Sequence, residues 1–214
     1  MSDLFAAQVV GTRTALGPQA GVLHGFALSA ADALLDAIAG FEATAPFRHL
    51  ITPGGHTMQV AMTNCGPYGW CSDRRGYRYD PRDPDSGQPW PPMPDAFLHI
   101  AAKAAAELGF DGYIPDACLI NRYAPGTRLS LHQDRDEDDR IAPIVSVSLG
   151  LPATFLFGGF ARGDKTVRVP LAHGDVVVWG GADRMRFHGV LPVKDGVHKR
   201  VGTQRINLTF RKVK

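Results

Sequence analysis

No stretch of the chain approaches the roughly 20 consecutive apolar residues that a bilayer-spanning helix requires, which argues against a helical membrane protein. Met1-Ser2-Asp3-Leu4 lacks both a basic start and a following apolar run, so no secretory leader is read and a soluble, cytoplasmic protein is expected. Cysteine is scarce. The three present, Cys65, Cys71 and Cys118, are odd in number and have no zinc-finger spacing, so reduced thiols are expected rather than a disulfide framework. Internal repeats and low-complexity tracts are missing, which argues against solenoids and disordered linkers. Charge of one sign is also missing: the formal net charge is +2. A polyanionic partner is permitted by that balance but not demanded.

What is present suits one domain. With 214 residues, 44% hydrophobic and 21% charged, the chain can bury a core without cross-links. Its 24 glycines and 16 prolines favour many turns and a β-rich fold. Two segments have helical periodicity. One runs from about Ser29 to Ile38, with Ser29 as the expected N-cap, Leu34, Leu35 and Ile38 as an apolar stripe, and Gly40 as a stop. The other runs from about Pro94 to Leu108, with Phe97, Ile100, Ala101, Ala104 and Leu108 on one face and Gly109 ending it. Between them Thr52–Pro92 is rich in Gly, Pro, Arg and aromatics with little periodicity, and reads as turns and short hairpins. Strands are expected at Ala117–Tyr123, Ile144–Leu149, Thr154–Phe157, Thr166–Leu171, Val176–Trp179 and Arg205–Phe210. Short strands with Gly/Pro turns point to a sandwich or barrel, of which a jelly roll is one solution.

The chemistry starts at His132-Gln133-Asp134. On an extended chain the two outer residues face the same way, offering an imidazole and a carboxylate to one metal ion. His188 is the best candidate for a third ligand. Two histidines and one carboxylate leave positions open on an octahedral ion, the arrangement of non-haem Fe(II) oxygenases. His-x-Asp alone occurs often by chance, so a second signal is needed. It comes from Arg205-Ile206-Asn207-Leu208-Thr209-Phe210-Arg211, where Ile206, Leu208 and Phe210 face one way and Arg205, Asn207, Thr209 and Arg211 the other. Two guanidiniums on one strand face require water or an anion. A dicarboxylate co-substrate would satisfy both; a solvated edge strand is the plainer alternative. In Leu119-Ile120-Asn121-Arg122-Tyr123, Asn121 and Tyr123 share a face and can donate to carboxylate oxygens.

Taken together, Asn121-Arg122-Tyr123, Leu129-Ser130-Leu131-His132-Gln133-Asp134, Val145-Ser146-Val147-Ser148-Leu149-Gly150, His173-Gly174-Asp175-Val176-Val177-Val178-Trp179 and the Arg205–Arg211 strand resemble the AlkB family of oxidative nucleic-acid dealkylases. The likeness extends to Thr52-Pro53-Gly54-Gly55 and Met62-Thr63-Asn64-Cys65-Gly66, and so covers nearly the whole chain, close to the family's bacterial founding member. It departs at the N-terminus, around Ala161–Arg168 and around Asp195–Gly202, all read as loops or exposed edges. The resemblance implies an α+β, β-rich single domain over residues 1–214. Its double-stranded β-helix (jelly-roll) core would span about 115–214, with two supporting helices and a nucleotide-recognition lid at about 52–92. It implies Fe(II) on His132, Asp134 and His188, with 2-oxoglutarate and O2 as co-substrates. Arg211 and Asn121 would hold the carboxylate near the metal, and Arg205, Asn207 and Tyr123 the distal one.

The aromatic and basic segment suits a single-stranded or flipped-out alkylated base. Trp70, Tyr77, Arg78 and Tyr79 offer stacking faces and phosphate donors, and Arg74, Arg75 and Arg82 add charge. The alternative is a loop anchored by its own aromatics. The acidic run after Asp134 reads as a solvated loop except for Asp136, whose carboxylate would favour a base made cationic by N-alkylation. By resemblance, Trp70 and His132 sandwich the base and Arg162 reaches its rim. The working unit is expected to be a monomer. Two other functions fit the motifs less well: an oxygenase acting on a small molecule or protein side chain, and a jelly-roll module that binds nucleic acid or senses metal without catalysis. A calcium loop in the acidic run lacks the central glycine of an EF-hand.

Overall fold

Side chains alternate along an extended chain, so a strand covered on both faces must be apolar throughout or polar only where a site demands it. The computed structural model describes residues 10–214; the Met1–Leu4 reading lies outside the described residues. In chain order the elements are β1 (Arg13–Gly17), β2 (Ala20–Leu23), α1 (Ala31–Phe41), β3 (Arg48–Ile51), β4 (Thr57–Cys65), β5 (Gly69–Asp73) and β6 (Gly76–Asp80). They continue with α2 (Asp95–Ala106), β7 (Ala117–Tyr123), β8 (Leu129–His132), β9 (Ile144–Gly150), β10 (Ala153–Phe157), β11 (Val167–Leu171), β12 (Val176–Trp179), β13 (His188–Val190) and β14 (Arg205–Arg211).

Eight strands form a large sheet in the order β1-β2-β12-β9-β14-β7-β4-β3, and four form a smaller one, β11-β10-β13-β8. The paired strands are antiparallel throughout both sheets. This is the expected jelly roll. In β12, Val176 and Val178 pack with the helices while Val177 and Trp179 pack against the smaller sheet. All four are buried. The helix side of the large sheet holds Leu34, Ile38, Phe97 and Ile100 against Val145, Val147, Ile206, Leu208 and Phe210. The inter-sheet core joins Val22, Ile144 and Val177 to Phe155, Phe157, Val169 and Leu171. No helix among the described residues is long and apolar enough to cross a membrane.

The helices differ from expectation at their ends. Ser29 lies in a 3-10 turn, Leu28–Ala30, and gives no side-chain cap to α1, whose N-cap is Ala30. Gly40 does not stop the helix, which continues to Phe41 so that this ring meets Phe97 edge-on at 6.4 Å. α2 begins one residue after Pro94. Gly109 ends it as expected: at φ +82°, Gly109 N–H donates to Ala106 and Phe110 N–H to Ala105, the Schellman arrangement that only a residue free to adopt positive φ accommodates well.

The larger correction concerns Thr52–Pro92. Nine of its residues form β4, which pairs with β7 from Ala61↔Arg122 to Cys65↔Cys118 and is buried from Val60 onward. Only β5 and β6 form a separate hairpin. Strands β1 to β3, β8 and β13 were not read either, and the large sheet therefore extends well beyond residues 115–214.

Phe97 is fully buried against both Phe41 and Phe210. Phe97→Ala is expected to lower unfolding free energy by about 3–5 kcal/mol, measured by urea denaturation against the parent chain.

Candidate metal and co-substrate site

β8 ends on His132, β13 begins on His188, and the two are direct cross-strand partners. Such partners project from the same face of a sheet, and their ring centroids lie 4.4 Å apart. Gly189 makes this approach possible, since a Cβ there would lie 2.8 Å from Leu129 O. Each imidazole is oriented from behind: His132 Nδ1 lies 2.9 Å from Ser130 O, and His188 Nδ1 3.1 Å from Arg186 O. A carbonyl only accepts, so Nδ1 carries the hydrogen in both rings and each Nε2 keeps its lone pair. Asp134, two residues past β8, brings Oδ1 to 3.5 Å from His132 Nε2 and 3.8 Å from His188 Nε2. The three ligand atoms lie within 4.8 Å of one another. Two neutral imidazole nitrogens and a carboxylate on one side of a point suit a divalent ion with open positions.

The large sheet supplies the facing wall. β14 lies between β7 and β9, with Arg205 opposite Tyr123, and Asn207 opposite both Asn121 and Ser148. Its inward face is the one expected, and every residue of the strand is buried. Arg205 is 1% exposed; it donates to Ser148 Oγ at 3.0 Å and stacks over the Tyr123 ring at 5.0 Å. Its Nε and Nη1 find no partner among the described residues, and the same holds for Arg211 Nη1 and Asn121 Oδ1. Unpaired buried cationic nitrogens are costly unless an anion meets them. Asn207 is placed differently from its expected role. Its Nδ2 donates to Ser146 Oγ at 2.8 Å and Val147 O at 2.9 Å, and its Oδ1 accepts from Thr209. The amide is taken up in joining strands.

Arg211 donates to Asp134 Oδ2 through Nε at 2.7 Å, and its Nη2 lies equally close. Behind this pair stands a residue the sequence reading placed in a solvated run. Glu137 is 3% exposed. One of its oxygens accepts from Tyr79 Oη at 2.6 Å and lies 3.3 Å from Arg211 Nε; the other accepts from Arg184 Nη2 at 3.0 Å. Arg184, 1% exposed, also donates to Asp134 O and Ala142 O. Neither residue carried a local signal, because Glu137 sits among acidic neighbours and Arg184 lies 47 positions away.

His132, Asp134, His188, Asn121, Tyr123, Arg205, Asn207, Arg211 and Glu137 line a cavity of about 590 Å³ between the sheets, together with Trp70, Tyr77, Tyr79, Asp136 and Arg162. Trp70 stacks on the exposed Tyr77 at 5.4 Å and donates from Nε1 to Asp136 at 3.0 Å. Arg162 donates to Leu131 O at 2.6 Å and covers the Phe187 ring. Arg78 is not brought to the cavity: it is not among the lining residues, and Asp73 holds its guanidinium at 3.0 Å.

Burial opposes the charge on Asp134, yet the Arg211 guanidinium in contact with it outweighs that cost and holds the carboxyl well below the usual range. Burial likewise opposes the Arg211 charge and is outweighed by Asp134, so its pKa rises. Arg205 has no acid to answer its desolvation, and its pKa falls. Burial, with the nearby His132, pushes His188 down to about 3, which keeps its Nε2 available as a ligand.

The family model for the 2OG-Fe(II) oxygenase superfamily matches residues 19–211. The chain is 54% identical over 211 residues, 99% of its length and 97% of the relative's, to the alpha-ketoglutarate-dependent dioxygenase AlkB of Salmonella typhimurium. A shorter match, 43% over 108 residues, covers 45% of this chain and 24% of the DNA N(6)-methyladenine demethylase ALKBH1D of Arabidopsis thaliana. The solved structure of OsALKBH1 superposes with a TM-score of 0.79 at 29% identity, over 94% of this chain and all of the other.

The low pKa of His188 has a stability consequence. Unfolded, the side chain takes up a proton below its ordinary 6.5; folded, it does so only near 3. Stability is therefore present above about pH 6.5 and is lost as pH falls toward 3, by up to about 1.4 kcal/mol per unit. Denaturant titration of the metal-free chain between pH 7.5 and 4.5 is expected to show this slope, and His188→Gln should flatten it.

Proposed function

We propose, for a chain that belongs to the 2OG-Fe(II) oxygenase superfamily and within it to the AlkB dioxygenases, that it repairs single-stranded DNA or RNA by oxidative dealkylation of bases such as 1-methyladenine and 3-methylcytosine. The enzyme class carries Fe(II), 2-oxoglutarate and O2 with it. Together they supply an oxidation that converts 2-oxoglutarate to succinate and CO2 and hydroxylates the N-alkyl carbon, so that the C–N bond breaks to give formaldehyde from a methyl group.

The chain's part is placement. His132, Asp134 and His188 would hold the metal, their Nε2, Oδ1 and Nε2 atoms being the ones that face one another. Arg211 and Asn121 take the carboxylate near it, and Arg205 with Tyr123 takes the distal one. Asn207 belongs to this group as the clamp between strands. The observation that carries the reading is Arg205: a cation 1% exposed, with two nitrogens lacking a partner among the described residues, on the wall of the cavity that holds the His-Asp-His group.

At the mouth, the β5–β6 hairpin with its flanks acts as the nucleotide-recognition lid. The Trp70–Tyr77 stack offers a platform for a flipped base, with His132 below and Arg162 at the rim. Tyr79 belongs to the same hairpin, and Arg78 serves the nucleic-acid backbone from outside the cavity. Asp136 is exposed beside Trp70, where a carboxylate favours a base carrying the positive charge of N-alkylation. The working unit proposed is the monomer. Three unpaired, buried thiols support a reducing, cytoplasmic setting.

Asp134→Ala is expected to abolish formaldehyde release from a 1-methyladenine oligonucleotide; release at the parent rate would remove the metal assignment. Trp70→Ala and Asp136→Ala are expected to slow repair of the methylated oligonucleotide at least tenfold while succinate production without substrate continues. A methylated oligonucleotide that stimulates succinate formation no more than an unmodified one would favour an oxygenase acting outside nucleic acids.

A further inference from the structure

Glu137 is the acid on which three otherwise separate parts meet: the β5–β6 hairpin through Tyr79, the large sheet through Arg211, and the segment before β13 through Arg184. Its burial at 3% is permitted only because Arg184, itself 1% exposed, supplies a full counter-charge. A buried pair of this kind is rigid, since either partner left alone would be an uncompensated charge. Arg184 is fixed in turn by Asp134 O and Ala142 O. The Glu137 carboxylate thus has both oxygens engaged and little freedom to move.

Arg211 has less choice of direction as a result. Its Nε lies between Asp134 Oδ2 at 2.7 Å and Glu137 at 3.3 Å, and its Nη2 reaches the same Asp134 oxygen at 2.7 Å. Nη1, without a partner among the described residues, is the edge left over. With Nε held between two fixed acids, the plane of the guanidinium is set before any ligand arrives. Without Glu137, Arg211 could rotate about its last side-chain bonds toward Asp134 alone, and the free edge would lose its aim.

We propose that Glu137 is a positioning residue for the co-substrate: held by Arg184 and Tyr79, it orients Arg211 so that one guanidinium edge stays free for the carboxylate of 2-oxoglutarate. The assignment rests on the functional reading above. It also gives Tyr79 a second task, because this hydroxyl belongs to the co-substrate side of the cavity although its ring lies on the hairpin. Pre-set orientation strengthens binding by removing the ordering cost at the moment of association.

Two variants of the full-length enzyme test this. Glu137→Gln keeps shape but removes the charge that holds Arg211. Tyr79→Phe keeps the ring and removes only its bond to Glu137. In steady-state repair of a methylated oligonucleotide, E137Q is expected to raise KM for 2-oxoglutarate about fivefold or more, with kcat falling less than twofold. Y79F is expected to move the same KM by about twofold, and by more than it moves KM for the oligonucleotide. A merely structural role would reduce folded protein and Tm without changing KM. The second measurement needs no turnover: with Mn(II) present, 2-oxoglutarate raises the Tm of the parent chain by linkage, and E137Q should require about fivefold more of it for half the rise. A parent chain whose Tm ignores 2-oxoglutarate would overturn the functional reading and this inference with it. A parent chain that responds while E137Q responds at the same concentrations would overturn the inference alone. A Y79F variant that shifts only KM for the oligonucleotide would overturn the part given to Tyr79.

Discussion

Two guanidiniums point inward from one buried strand, and the architecture follows from what that requires. Moving a charged group from water into a protein interior costs several kcal/mol even after relaxation. β14 carries Arg205 and Arg211 on the face that meets the smaller sheet, both at most 6% exposed. A close-packed sandwich could not hold them, because interiors are as dense as organic crystals and offer no room for an anion. The sheets accordingly stay apart over this face and enclose a cavity of about 590 Å³. On β9 Ser146 lines it and Ser148 lies two residues along the same strand, and their hydroxyls accept from Asn207 and Arg205. The opposite face of the same strands is wholly apolar under α1 and α2. Stability is concentrated there, which leaves the inner face free to be polar.

The two arginines are treated unequally. Arg211 faces Asp134 and Glu137, with Arg184 balancing the second acid. The cluster of two acids and two cations is neutral by itself. Arg205 has an aromatic ring and a hydroxyl but no acid. One end of this wall is therefore organised in advance, while the other holds a charge with no acid beside it. A dicarboxylate answers both ends, and a monocarboxylate leaves one of them unanswered.

Much of this was legible because it depends on period two. The split of β14 into Ile206, Leu208 and Phe210 against Arg205, Asn207, Thr209 and Arg211 is a property of any extended chain, and the structure keeps it. His132 and Asp134 were legible for the same reason. Features set by distant pairing were not. The register that places His188 opposite His132 depends on how β8 and β13 come together around Gly189, although His188 itself could be picked out as the third ligand. β4 was read as irregular because Thr57, Gln59, Thr63 and Asn64 break its apolar run between Gly- and Pro-rich flanks. Its burial comes from pairing with β7 and from bonds such as Thr63 Oγ to Ala45 O. Glu137 looked like Asp138 and Asp139 beside it, and what distinguishes it is its contact with Arg184, Tyr79 and Arg211, all distant in sequence. Asn207 faces inward as expected, yet its hydrogen-bonding capacity is taken by the neighbouring strands.

Burial along the cavity sorts its chemistry by depth. Arg205, Arg211, His188 and Asp134 are buried, His132 is about a third exposed in its side chain, and Asp136, Tyr77 and Arg162 lie at the surface. Electrostatic interactions strengthen with distance from water, so the deep cations pull harder on any anion that enters than the same groups would at the surface. The mouth works in the other regime. Its charges are screened, and what it presents is the stacked aromatic surface of Trp70 and Tyr77 with one exposed carboxylate, Asp136. Depth thus divides one cavity into an electrostatic end and an aromatic end, according to how far each group lies from water.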